Sequence, residues 1–182
     1  MRNAFITILV GTILLVSGCT EQEGVEVTLK QVIPITPTTS IEITKNLDFN
    51  EIDEDKPQNY IIEKSKFRIP VEIKNNNKVD YDDVYIRINK TSDIITKLLL
   101  YSYSGEPFKM SQEEYFKFNN KLIAKQTNEL TLVGEVRNLP SDLTQGTIKF
   151  SLGLYQLNQG KLIPIANSLH EYELKICKTT DC

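Results

Sequence analysis

Residues 67–88 read FRIPVEIKNNNKVDYDDVYIRI, and their period of two restricts the chain more than any other stretch. Phe67, Ile69, Val71 and Ile73 fall on one side of an extended backbone, and Arg68, Glu72 and Lys74 fall on the other. Successive side chains of a strand point to opposite faces, so this pattern fits a strand with one buried face and not a helix. Asn75, Asn76 and Asn77 then turn the chain, because Asn tolerates positive φ and hydrogen-bonds its own backbone. Val84, Ile86 and Ile88 make the next inward row. Pro70, on the outward side, points to a sheet edge or a bulge.

The same period recurs on both sides of this segment. Val25, Val27 and Leu29 alternate with Glu26, Thr28 and Lys30, which predicts a strand through Ile33 that Pro34 and Pro37 stop or carry across an edge. Ile41 and Ile43 suggest a short second strand. Leu130, Leu132 and Val136 form an inward row, as do Ile148, Phe150, Leu152 and Leu154, and finally Tyr172, Leu174 and Ile176. Asn158-Gln159-Gly160 reads as a compact hairpin turn with Gly at a left-handed position, after which residues 162–165 return. Roughly eight strands at these intervals predict an all-β, antiparallel Ig-like sandwich over residues 25–182. Residues 93–120 break the pattern and read as an insertion. Ser111 and Glu114 form a capping box there, which predicts one short helix over residues 111–117. A split into two domains near residue 120 is the alternative.

The strand, Asn-rich turn, aspartate pair and strand of residues 67–88 resemble the Ig-like modules of the CARDB and related kinds found in prokaryotic surface proteins. LVGEVRN, residues 132–138, followed by a loop and IKFSLGLY, residues 148–155, repeats that grammar and is similar to short modules of the FxLYD kind. The resemblance implies an Ig-like domain that works outside the cytoplasm.

The N-terminus has its own logic. Arg2 is followed by a mainly apolar run over residues 4–16, then by the small residues Ser17 and Gly18 and by Cys19. The run is shorter than the roughly 20 apolar residues a membrane span requires, and its layout is that of a secretory signal. LVSGC, residues 15–19, resembles the lipobox of bacterial and archaeal lipoproteins. The resemblance implies a signal peptide over residues 1–18 and a lipid-modified Cys19 as the new N-terminus. A short tether would then run to residue 24, with the protein on the extracytoplasmic face of the cell membrane. One acyl chain binds only marginally, so stable anchoring implies two or more on Cys19. An ordinary signal peptide and an uncleaved signal anchor are the other readings.

Charge narrows the partners. Without Arg2 the count is 20 basic against 24 acidic residues, a net −4 with no basic stripe, which excludes a nucleic-acid binder. Cys177 and Cys182 are spaced C-x4-C, unlike the C-x2-C of common zinc and thioredoxin motifs. Outside the cytoplasm they are a disulfide candidate; two free thiols are the alternative. Asn89-Lys90-Thr91 is a sequon, so Asn89 is a glycosylation candidate in a host that glycosylates Asn, and a chance match otherwise.

No catalytic constellation is visible. His170 is the one imidazole, and there is no G-x-S-x-G, no His cluster for a metal and no phosphate loop. No cofactor is expected. Asp82-Asp83 and Glu113-Glu114 are ordinary for solvated faces. The acidic run over residues 48–55 has the hard oxygen ligands calcium prefers, but Ile52 stands at a ligand position and no Gly marks the turn. Tyr101, Tyr103, Phe108 and Tyr115, with Phe116 and Phe118 beside them, form the densest aromatic group. They read either as an interaction surface on the insertion or as a cap on the open end of the sandwich. Two function classes follow. One is a non-catalytic binding or scaffolding module of the cell envelope, with an envelope protein or polymer as partner. The other is a small accessory hydrolase or calcium-binding envelope protein.

Overall fold

The computed structural model describes residues 24–35, 47–49, 52, 56–91, 94–110, 115–118 and 121–180. Eleven strands occur among them: β1 (Val25–Leu29), β2 (Ile33–Ile35), β3 (Tyr60–Ile62), β4 (Lys66–Asn75), β5 (Val84–Lys90), β6 (Ile95–Ser102), β7 (Tyr115–Lys117), β8 (Thr127–Val136), β9 (Gln145–Asn158), β10 (Lys161–Pro164) and β11 (His170–Cys177). One sheet runs β1-β4-β8-β6, with β2 also on β4. The other runs β3-β11-β9-β5-β7, with β10 also on β9. With β1, β4, β8 and β6 as strands A, B, E and D, and β11, β9 and β5 as G, F and C, this is the strand order of an Ig-type sandwich. Pairing is antiparallel except for β3 on β11. The all-β expectation therefore holds. One departure from the Ig order is β7, which follows β6 in sequence yet borders β5.

The inward rows read from the sequence meet between the sheets. Phe67, Ile69, Val71, Ile73, Val84, Ile86, Leu132, Phe150, Leu152, Leu174 and Ile176 are all buried in one core. One contact in it dictates a residue choice. Phe67 pairs with Gly134 across β4 and β8, and a Cβ on Gly134 would lie 2.3 Å from the Phe67 ring. The ring occupies the space that any other residue would claim.

Pro70 and Pro34 each have a backbone reason, while Pro37 lies outside the described residues. Lys30 N–H bonds Pro70 O at 3.0 Å and Asn76 N–H bonds Gly24 O at 3.0 Å, so the even residues of β4 offer their polar groups to β1 and β2. Pro70 faces the break between β1 and β2, where no donor is required. Arg68 and Lys66 bond to β2 opposite Ile33 and Ile35. Pro34 falls between those bonded pairs with its nitrogen turned to the outer edge. The strand expected to end at Ile33 therefore resumes as β2 through Pro34 to Ile35.

Two expectations are corrected. Tyr115–Lys117 is strand, not helix, and no helix occurs among the described residues. Phe116 is buried, and pairing with Ile86 on β5 offers that ring a core that an isolated turn of helix lacks. The capping-box positions 111 and 114 lie outside the described residues, as does the strand expected at residues 41–44. Residues 93–120 are also no appendage to the sandwich, because they supply β6 to one sheet and β7 to the other.

The Asn75 turn works by hydrogen bonding rather than by positive φ. Asn75 is fully buried. Its Nδ2 donates to Val79 O at 2.9 Å and Leu122 O at 3.1 Å, and its Oδ1 accepts from Asn77 N–H at 3.0 Å. At the other predicted turn, Gln159 and Gly160 have φ of 49° and 79°, the pair of positive values a two-residue hairpin needs.

Gly134→Ala should destabilise the protein by about 1–3 kcal/mol, since the added methyl overpacks a filled site. Urea unfolding would measure it, and Phe67→Leu in the same background should recover part of the loss. An additive double variant would mean that the ring and the glycine do not compete for space.

Candidate functional site

The outward face of the first sheet is not plain solvent surface. Ile35, Val133 and Tyr101 point outward from β2, β8 and β6 and are buried with Leu47, while Phe49, Ile52 and Leu99 pack against them. Leu47, Phe49 and Ile52 thus lie over the sheet. Their anchor is a close backbone approach. Leu47 N–H bonds Gly105 O at 2.8 Å. Gly105 has φ 81°, and a Cβ there would sit 1.7 Å from Leu47 O. Only glycine meets both demands at once.

This cover leaves a groove of about 890 Å³ beside it. Leu47 and Phe49 form its apolar wall. The Tyr101 ring meets Phe49 edge-on at 6.0 Å, and the Arg68 guanidinium stands over the same Phe49 ring, 5.4 Å from its centroid. Pro70, Thr131 and Glu129 contribute from β4 and β8. Lys30 and Glu72 form an ion pair at the edge, and the hydrogen bond to Glu72 holds the Lys30 ammonium above the ordinary lysine range. Tyr103 stands at the rim, 81% exposed. On its other side lies a second hollow of about 500 Å³ between the 102–104 turn and the start of β8. Asn128 lines that hollow, and its buried Nδ2 has no hydrogen-bond partner among the described residues. The surface is therefore an aromatic tip between two hollows, with paired charges and hydrogen-bonding groups in reach. That chemistry suits an extended polar ligand with some apolar surface.

The four aromatic candidates separate. Tyr101 is fully buried, so it serves the outer-face core and is not a surface anchor. Its hydroxyl has no hydrogen-bond partner among the described residues, and burial pushes its phenol up from the ordinary range. Phe108 is buried and stacks on Phe118 at 6.1 Å. Tyr115 is half-buried, edge-on to Tyr155 at 5.3 Å with Arg87 over its face at 5.2 Å. Tyr103 is the one presented to solvent. Phe108 is buried because residues 106–108 fold back along β6, through Phe108 N–H to Leu100 O at 2.8 Å, and carry its ring into the core between the sheets.

The remaining candidates lie elsewhere. Cys19 is outside the described residues. Cys177 is buried and disulfide-bonded, and Cys182 lies outside the described residues. Asn89 is exposed near the end of β5, with the hydroxyl of Thr91 donating to Lys149 O at 2.6 Å. His170 opens β11, half-buried. Asp82 pairs with Lys121 at 3.4 Å. Most of the acidic run, and Glu113-Glu114, fall outside the described residues. Among the described residues no three His, Cys, Asp or Glu side chains gather as a metal site. No helix there is long and apolar enough to cross a membrane.

Sequence reasoning missed the outer-face groove. Its signal was present: Leu99, Tyr101, Val133 and Ile35 put apolar side chains on the face that alternation assigns to solvent, and such a face demands a cover.

No protein-family model and no curated protein matches the sequence. Among solved structures the chain is similar to AvmM, described as catalysing macrocyclization in alchivemycin A biosynthesis. Identity is 10% over 70% of this chain and 88% of that one, with a TM-score of 0.47. It is also similar to a family 123 glycoside hydrolase from Clostridium perfringens, at 11% identity over 65% of this chain and 22% of that one, with a TM-score of 0.36. The chain spans about a fifth of that hydrolase's length. Neither likeness carries an activity over.

Tyr101→Phe should leave stability unchanged or raise it by up to about 1 kcal/mol, because it removes a buried hydroxyl that lacks a partner. Tyr101→Ala should cost about 3–5 kcal/mol as a cavity, and Tyr103→Ala less than about 0.5 kcal/mol as a surface change. Thermal unfolding of the three variants checks the assignment; an equal loss for Tyr101→Ala and Tyr103→Ala would contradict it.

Proposed function

We propose that this chain is a membrane-anchored extracytoplasmic lipoprotein, held by lipid on Cys19, and that it acts as a non-catalytic binding module of the cell envelope. The observation that carries the binding role is Tyr103, exposed in the turn after β6 between two hollows whose linings include charged and hydrogen-bonding groups. The partner is an envelope protein or polymer whose extended, polar chain lies along the groove and stacks on the ring. The signal-like N-terminus and the Cys177 disulfide support the same compartment, since disulfides persist outside the reducing cytoplasm.

The experiment places a photoreactive phenylalanine analogue at position 103 in the producing cell, and at position 143 as a surface control. Adducts of defined mass should form from position 103 and not from 143. Equal labelling from both positions would refute the groove as a binding surface. The anchor is tested separately. Mass spectrometry of the purified native protein should find an N-terminal, lipid-modified Cys19, and Cys19→Ser should yield unlipidated protein or uncleaved precursor. A free Cys19 thiol in the native protein would refute the anchor.

A further inference from the structure

The chain enters the sandwich at Gly24, and that end carries an unusual surface. Eight large apolar side chains are exposed among the described residues. Four of them, Val79, Ile123, Leu157 and Ile163, lie at the Gly24 end, while Leu143 marks the opposite end, in the loop between β8 and β9. The pairings fix this placement. Val25 lies opposite Asn75, Thr127 opposite Lys74, and Val84 opposite Gln156. The loops after β4 and before β8, and the β9–β10 hairpin, therefore all project past the same edge.

These tips are held in place. Asn75 Nδ2 ties Val79 O and Leu122 O together, and Tyr81 and Leu122 exchange both backbone bonds at 3.0 Å. Ala124 N–H bonds the Asp80 carboxylate at 2.8 Å. Leu157 N–H bonds Asp83 O at 3.1 Å, which joins the hairpin to the same platform. One face of the hairpin is apolar, with Leu157 and Leu162 as cross-strand partners beside Tyr155 and Pro164, while the other carries Ile163 opposite Gln156, next to the polar pair Lys161 and Asn158. β10 pairs with β9 alone among the described strands. The face of Tyr155, Leu157, Leu162 and Pro164 therefore lacks the polar row that a solvated strand shows, and Ile163 adds one exposed apolar side chain on the other face.

We infer that this end is a membrane-contacting face, and that Val79, Ile123, Leu157 and Ile163 sit in the interfacial layer of the bilayer that holds the Cys19 lipid. The inference rests on the anchor proposed above and adds to it the orientation of the body. The occupant follows from chain length. From Cys19 to Gly24 is five residues, a reach of at most about 18 Å when fully extended, so the Gly24 end cannot stand far from the surface. The headgroup layer is roughly 5–7 Å deep on each side of the hydrocarbon, and side chains such as Val, Ile and Leu gain by entering it. The three acids Asp80, Asp82 and Asp83 are ion-paired with only two lysines, Lys121 and Lys117, but Lys78 and Lys161 are exposed beside the apolar tips, so four basic groups stand against three acidic ones. Repulsion from an anionic surface is therefore small.

The test uses the full lipidated protein in liposomes of zwitterionic and anionic phospholipid, with a nitroxide label on Val79→Cys, Ile163→Cys or, at the opposite end, Leu143→Cys. Lipid-soluble oxygen should relax the labels at 79 and 163 severalfold more, relative to a water-soluble nickel complex, than the label at 143. The same samples are analysed by mass for lipid on Cys19. If Cys19 is lipidated and the labels at 79 and 163 behave like the label at 143, the contact face is refuted and the anchor stands. If Cys19 is unmodified, the anchor fails and the contact face falls with it.

Discussion

Residues 130–134 of β8 are buried on both faces, and the rest of the structure answers to that constraint. Inward, Leu130 and Leu132 face the second sheet, and Gly134 makes room for the Phe67 ring. Outward, Thr131 and Val133 lie on a face that would meet water in a simple sandwich. A strand apolar on both sides must be covered on both sides, because exposed apolar area costs roughly 25 cal/mol per Å². The second sheet covers one side. Leu47, Phe49 and Ile52 cover the other, with Tyr101 from β6. The groove, the exposure of Tyr103 and the need for glycine at 105 all follow from where that cover stops.

The two ends of the sandwich are secured by polar contacts rather than by area. At the entry end a buried Asn75 makes three side-chain hydrogen bonds, which compensates the cost of removing its amide from water. The backbone N–H of Ala124 holds the Asp80 carboxyl below its usual range, and Lys121 strengthens the effect. At the far end Glu63 accepts from Leu139 N–H at 2.7 Å, and Lys178 donates to Pro140 O and Ser141 O at 2.9 and 3.0 Å. Local satisfaction of this kind keeps the loops ordered, so whatever side chains they carry outward are carried on a firm base.

The two-sheet sandwich was legible in the sequence because alternation reports one-sided burial directly. Phe67 to Ile73 on β4 and Ile148 to Leu154 on β9 announce themselves by period alone. What was not legible has a common cause. Tyr60–Ile62 is too short for its pattern to register, and it pairs in parallel with β11, a partner more than 100 residues away. Ser111 and Glu114 matched a helix start, yet the following Tyr115–Lys117 found a strand edge, and tertiary pairing outweighed the local signal. Tyr101 on β6 and Tyr103 in the turn just after it are two residues apart, and the period cannot tell them apart. A cover that ends between them buries one and leaves the other exposed. Arg68 and Glu72 looked like generic solvent-facing charges, because a groove made by a distant segment leaves no mark on its own residues.

The central claim is that this cover divides the two tyrosines. Nitration of the folded protein with tetranitromethane, read by peptide mapping, tests it directly. Tyr103 should be nitrated readily in the native state, and Tyr101 only once the protein is unfolded. Nitration of Tyr101 in the native protein at the rate of Tyr103 would contradict the account.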